Sequence, residues 1–219
     1  MGKKDHGLAN LVFSSDARTM AHAREMENVL FLVQDIYSPE EALLPGRGFD
    51  FIDMAFCADR TSLAAFPALL QQVRRLCRPG GLVRWVEMDT PGTNSAAYGR
   101  LTMLARQALQ KAGLGFPAGA YTAGSAQVME QWLHAADIEP VHSAAYEFGI
   151  AADQVTRAHH RFFRMASVAC LQMRIFLLAM EVTTIYEFEQ LYRQMHVDML
   201  SKVFRGTCVV KIVYGKRAR

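Results

Sequence analysis

Short apolar runs alternate along this chain with longer stretches in which apolar residues recur every three or four positions. "NLVFSS", residues 10–15, is such a run and ends in turn formers. The following "DARTMAHAREMEN" suits a helix that Asp16 can cap and that Asn28 can close in the left-handed conformation. "VLFLVQD", residues 29–35, is apolar without alternation, the mark of a strand covered on both faces, and such strands belong to parallel sheets. The pattern then repeats. "FDFIDMAF", residues 49–56, reads as a strand, and "SLAAFPALLQQVRRLC" carries Leu63, Phe66, Leu69, Leu70, Val73 and Leu76 at helical spacing. "RPGG" marks the end of that helix, because Pro79 cannot continue it and the glycines permit a tight turn. "LVRWVEMD", residues 82–89, is the next strand. Strands and helices at these intervals predict right-handed crossovers and an α/β fold with a doubly wound, mostly parallel sheet.

Past Asp89 the texture changes. "AAYGRLTMLARQALQKAG" and "SAQVMEQWLHAAD" are amphipathic helices joined by the Gly/Pro-rich "LGFPAGAYTAG", and "IEPVHSAAYEFGI" is a looser strand. Two long helices come next. The first contains the most apolar segment, "MASVACLQMRIFLLAMEV", in which Gln172 and Arg174 make a membrane span costly, so a buried helix is expected. The second opens with a capping box from Thr184 to Glu187 and sets Phe188, Leu191, Met195 and Met199 on one side. "GTCVVKIVYGK" closes the chain as an alternating strand, suited to an antiparallel place at or near a sheet edge. With no repeat and no long linker, a single domain over residues 1–219 is expected, with helical cover segments at 90–133 and 151–204.

Composition adds limits. Among 219 residues, 51% are hydrophobic and 21% charged, which is ordinary for a globular chain and unlike a disordered one. The net charge of +3 is small and the basic residues cluster only at the two ends, so no nucleic-acid partner is expected. The four cysteines lie far apart without a CxxC pair, and no apolar leader follows Lys3 and Lys4; reduced thiols in a cytoplasm, away from any membrane, fit both facts. No HExxH, paired CxxC or carboxylate triad points to a metal. His159 and His160, neighbours on a helix, project about 100° apart and cannot easily share an ion.

Taken in order, "SDARTMAHARE", "NVLFLVQDI", "FDFIDMAF", "LCRPGGLVRWVEMD" and the C-terminal strands resemble the class I S-adenosylmethionine-dependent methyltransferases, in particular bacterial members with small-molecule substrates. The resemblance implies that an acid after the second family strand binds ribose, that an aspartate after the third binds the adenine amine, and that "FD-x-V/I" opens the fourth. By that correspondence Ser15 or Asp16, with Met20 nearby, falls at the ribose position. Asp35, followed by Ile36, falls at the adenine position, and Ala55 and Phe56 line the methionine end of the cofactor. Glu87 and Asp89, on one face at the end of the fifth family strand if alternation holds, are candidates to orient an acceptor or take its proton, with His159 as another base. Each also has a plainer reading: Asp16 as a helix cap, Asp35 as a loop acid, Ala55 and Phe56 as core, Glu87 and Asp89 as a cap or surface pair, His159 as a surface residue. The aromatics and methionines Trp132, Phe162, Phe163, Met165, Met173 and Phe176 fit either a lid over an apolar substrate or a plain core.

The family's first strand and glycine-rich turn should precede Asn10, and "MGKKDHGLANLVF" supplies neither. A shortened chain, direct pairing of the second and fourth family strands, or a second copy of the chain in a homodimer would each answer this. Two functions follow as expectations: methyl transfer from S-adenosylmethionine to a small molecule, or a methyltransferase-like protein that binds or scaffolds without catalysis.

Overall fold

The computed structural model describes residues 19, 22, 24, 25, 48–57, 61–114, 125–152 and 157–219. The chain falls into two compact units, Met1–Gly46 and Arg47–Arg219. In the first, Thr19 and His22 are helical, and Glu25 is left-handed (φ 54°) with its N–H donated to the His22 carbonyl at 3.0 Å. The helix expected over residues 16–28 thus meets a turn before Asn28. The expected strands at 10–15 and 29–35 lie outside the described residues.

The second unit is built on a mixed sheet. Strand β1 (Phe49–Ala55) pairs in parallel with β2 (Cys77–Met88) through a short 3-10 turn and helix α1 (Phe66–Leu76). After β2 come β3 (Gly92–Thr93), α2 (Ala96–Lys111), α3 (Ser125–Ala135), β4 (His142–Ala151), α4 (Arg157–Ala179), α5 (Ile185–Leu200) and β5 (Arg205–Lys216). Strand β5 is antiparallel to β2 on one side, with β3 continuing that side, and to β4 on the other. It therefore lies one strand in from β4.

The helix-then-turn expected at "RPGG" takes a different form. Helix α1 stops at Leu76, but β2 begins at once, and Arg78–Gly81 bulge out between the pairs Phe49↔Cys77 and Phe51↔Leu82. Two glycines are needed there. Gly80 has φ +79°, and a Cβ on Gly81 would lie 2.9 Å from the Arg78 carbonyl oxygen. The bulge is tied to the C-terminal segment by Gly80 N–H to Arg217 O and Arg217 N–H to Gly81 O, each 2.9 Å.

Alternation in β2 sends Val83, Trp85 and Glu87 to a buried face. Helix α1 turns Phe66, Leu69, Leu70 and Val73 toward the core, and Phe66, Trp85 and Trp132 of α3 form an aromatic stack with centroids 4.3–5.9 Å apart. A second core gathers Leu101, Leu104, Phe162, Phe188, Met195, Met199, Ile150 and Phe204 from α2, α4, α5, the end of β4 and the residue before β5. Thr184 caps α5 as its sequence predicts, accepting from Glu187 N–H at 3.1 Å; the Glu187 side chain turns to Thr183 and Arg100 instead of closing the box.

The segment at 165–182, expected as a buried helix, is buried only in part. Within it Ala166 and Leu177 face the core, as does Phe162 just before it, while Met165, Val168, Leu171 and Ile175 stay exposed. Arg157–Ala179 is long and apolar enough to cross a membrane by length and composition, a test that core helices also pass.

Candidate functional site

Parallel pairing of β1 and β2 brings their carboxyl ends to the same edge of the sheet, where open α/β sheets hold ligands. At the end of β1 the chain turns sharply. Phe56 is exposed and left-handed (φ 53°), an uncommon conformation for an aromatic residue, and its N–H donates to the Val86 carbonyl at 3.0 Å. The next residue turns inward. Cys57 N–H donates to Glu87 Oε1 at 3.0 Å, and the buried Thr61 hydroxyl donates to the Cys57 carbonyl at 2.9 Å.

Glu87 is the hub of this corner. Its Oε1 also receives the Trp85 indole N–H at 2.8 Å, so a buried carboxylate is met by a backbone and a ring donor. Burial pushes the Cys57 thiol up to about 12, and the Glu87 charge beside it adds to the shift. This thiol is therefore neutral at physiological pH and a poor nucleophile.

Beyond Glu87, the buried Lys211 of β5 sits directly across from it in register and reaches Asp89 Oδ2 at 2.8 Å. Residues directly opposite in an antiparallel pair share a face, so Glu87, Lys211 and Asp89 lie on one side of the sheet. Asp89 also borders a cleft of about 190 Å³ with Tyr98, Thr102, Arg106 and Leu109 of α2. Burial raises the Tyr98 hydroxyl well above its ordinary value, with the nearby Cys170 and Cys208 thiols adding to it, so it serves this cleft as a neutral group. A wider groove of about 470 Å³ along α5 holds no buried polar cluster.

The structure thus brings Ala55, Phe56, Glu87 and Asp89 to one end of the β1–β2 pair. Ala55 is exposed. His159 is placed elsewhere: its Nε2 lies 2.8 Å from the Met199 carbonyl and its ring packs on Phe204, which binds it to the end of α5. Donating there occupies Nε2. Ser15, Asp16, Met20, Asp35 and Ile36 lie outside the described residues. Sequence reasoning passed over Cys57, Thr61, Trp85 and Lys211. Lys211 carried a signal, a lone charge inside "CVVKIV"; Thr61 and Cys57 carried none, since their roles depend on β2 lying alongside.

No family model and no curated protein matches the chain in sequence. Its backbone does match solved structures. The YcgJ protein of Bacillus subtilis aligns with a TM-score of 0.51 at 12% identity, over 94% of this chain and 78% of that one. At 12% identity the likeness to that protein is one of fold. A putative methyltransferase from Bacillus halodurans C-125 aligns at 0.49 and 13% identity over 94% of this chain and 79% of its own. Phosphoethanolamine N-methyltransferase 2 of Haemonchus contortus, in complex with phosphomonomethylethanolamine and S-adenosylhomocysteine, aligns at 0.47 and 13% over 93% of this chain. The chain spans 40% of that protein's length. At such identities the likeness concerns the fold.

Proposed function

We propose that this chain binds S-adenosylmethionine at the carboxyl edge of β1 and β2 and transfers its methyl group to a small molecule held in the cleft beside Asp89. What supports this most is the convergence, in a methyltransferase fold, of the left-handed Phe56, the buried Glu87 and the Asp89–Lys211 pair on one strand edge. The donor set suits a sulfonium: an exposed aromatic ring and two carboxylates attract a cation, and the cation on the facing strand, Lys211, is already paired with Asp89. When bound, the cofactor supplies an activated methyl group.

The chain's own residues then have defined tasks. Methyl transfer from a sulfonium is an in-line displacement, so its main demand is a positioned acceptor. Asp89 orients the acceptor's hydroxyl or amine and takes its proton, while Lys211 fixes the carboxylate through Oδ2. Glu87, with Oε1 bonded to Trp85 and Cys57, holds the Phe56 turn in shape. Ala55 and Phe56 contact the methionine end.

A second reading is a methyltransferase-like binding protein without catalysis. The inward engagement of Glu87 favours it, because that carboxylate serves the turn and not a substrate.

Calorimetric titration with S-adenosylhomocysteine tests the proposal. Binding that Phe56→Ala weakens, and that Asp89→Asn leaves intact while abolishing methyl transfer, is the expected result. A folded chain that binds nothing at millimolar ligand would overturn it.

A further inference from the structure

Helix α4 has two unlike faces. One packs into the second core through Phe162, Ala166 and Leu177; the other is exposed and follows a strict spacing of four and three. That exposed line runs Arg157, Arg161, Arg164, Val168, Leu171, Ile175, a 3.5-residue repeat that keeps all six within one narrow stripe. Its first half is basic and its second half apolar. Val168 and Leu171 are each 48% exposed and Ile175 is 75% exposed, values far from those of core positions. Helix α4 contains no Asp or Glu. None of the three arginines has an ion pair among the described residues. At the apolar end, just past the helix, Glu181 is also out in solvent: its side chain is 85% exposed, in a long ion pair of 4.0 Å with Lys111.

This stripe is complementary to itself when reversed. We infer that α4 is the contact between two copies of this chain, packed antiparallel about a two-fold axis near Leu171. Val168, Leu171 and Ile175 of each copy then cover those of the other, and Arg161 and Arg164 of each reach Glu181 of the second copy. Such an isologous contact closes at two subunits. A parallel pairing fails, because it stacks arginine on arginine along half the helix. The α4 stripe is also the narrow seam of a helix–helix contact, and not the broad apolar face of a helix buried in a core.

A lipid surface is the competing occupant. Helices that lie in membrane interfaces flank their apolar stripe with basic residues, whereas here the arginines sit in line with it and an acid stands at its apolar end, facing anionic headgroups. The second copy satisfies both ends at once. The inference does not depend on the cofactor site.

Light scattering after gel filtration of the full chain, with vesicle flotation alongside, decides the matter. The wild type is expected to run as a dimer, and Leu171→Glu as a monomer with an unchanged circular dichroism spectrum. Arg164→Glu and Glu181→Arg should each weaken the dimer, and the two combined in one chain should restore it. A monomeric wild type would overturn the inference, as would a dimer indifferent to Leu171→Glu or a double variant no stronger than its parents. Monomers that float with phosphatidylserine vesicles would assign the stripe to a membrane.

Discussion

Helices α1 and α4 are both rich in apolar residues, and the protein treats them in opposite ways. Helix α1 concentrates Phe66, Leu69, Leu70 and Val73 on one side, and that side disappears against Trp85 and Trp132. Helix α4 distributes its apolar residues around most of its circumference, and only three of them are buried in this chain. A one-sided pattern names its own partner, the sheet beneath it. An all-round pattern demands more partners than one chain has supplied, which is why the exposed half of α4 is informative and a lone exposed leucine elsewhere is not.

Truncations should separate the two regions most strongly. Trp85→Ala removes the centre of the aromatic stack and should cost about 3–5 kcal/mol in denaturant unfolding. Ile175→Ser, 75% exposed, should change the stability of the monomer by no more than about 0.5 kcal/mol. Equal losses at both positions would erase the contrast drawn between α1 and α4.

The polar corner above the stack should respond next. Glu87→Ala leaves the Trp85 and Cys57 N–H donors without their acceptor and should cost about 1–3 kcal/mol. Glu87→Gln is gentler, and it removes the charge that opposes the Cys57 thiolate. Alkylation of Cys57 by iodoacetamide at alkaline pH should then be several-fold faster than in the wild type. Because the thiol is raised in the folded state, its contribution to stability is whole below about pH 8.5 and is lost as the pH climbs toward 12. An alkylation rate untouched by Glu87→Gln would mean that burial acts alone.

The smallest effect lies on the opposite face of β2. Arg84 holds Asp53 with two hydrogen bonds of 2.7 and 2.9 Å, which keep that carboxyl below the ordinary range, assisted by the guanidinium charge. A depressed value stabilises the fold above about pH 4 and fades as the pH falls through the folded value. The pair is more than a third exposed, so Asp53→Asn should cost at most about 1 kcal/mol at pH 7, and nothing once the carboxyl is protonated in both states. Unfolding midpoints at the two pH values provide the check.

Much of the fold could be read directly. The strand at 49–56, the helix after it, the strand at 82–89, the two-helix run past Asp89, the capping Thr184 and the closing strand all appear where periodicity put them, because each pattern is local. The alternation placing Glu87 and Asp89 on one face was equally legible, and Lys211 opposite Glu87 agrees with it. "RPGG" was read as a stop and a turn, yet it is a bulge, since the decisive contact is with Arg217 at the far end of the chain.

Among the described residues, the sequence by itself determined most of the helices and strands, where α1 and α5 begin or end, and which strand carries two acids near its end. Backbone sterics, caps and side-chain period settle those within a few residues. Tertiary structure alone decided what the acids do. Glu87 became the acceptor for a turn thirty residues away, Asp89 became the partner of a lysine on the last strand, and half of α4 was left without cover. Hydrogen bonds and burial are properties of pairs, and these pairs meet only when distant segments are brought side by side.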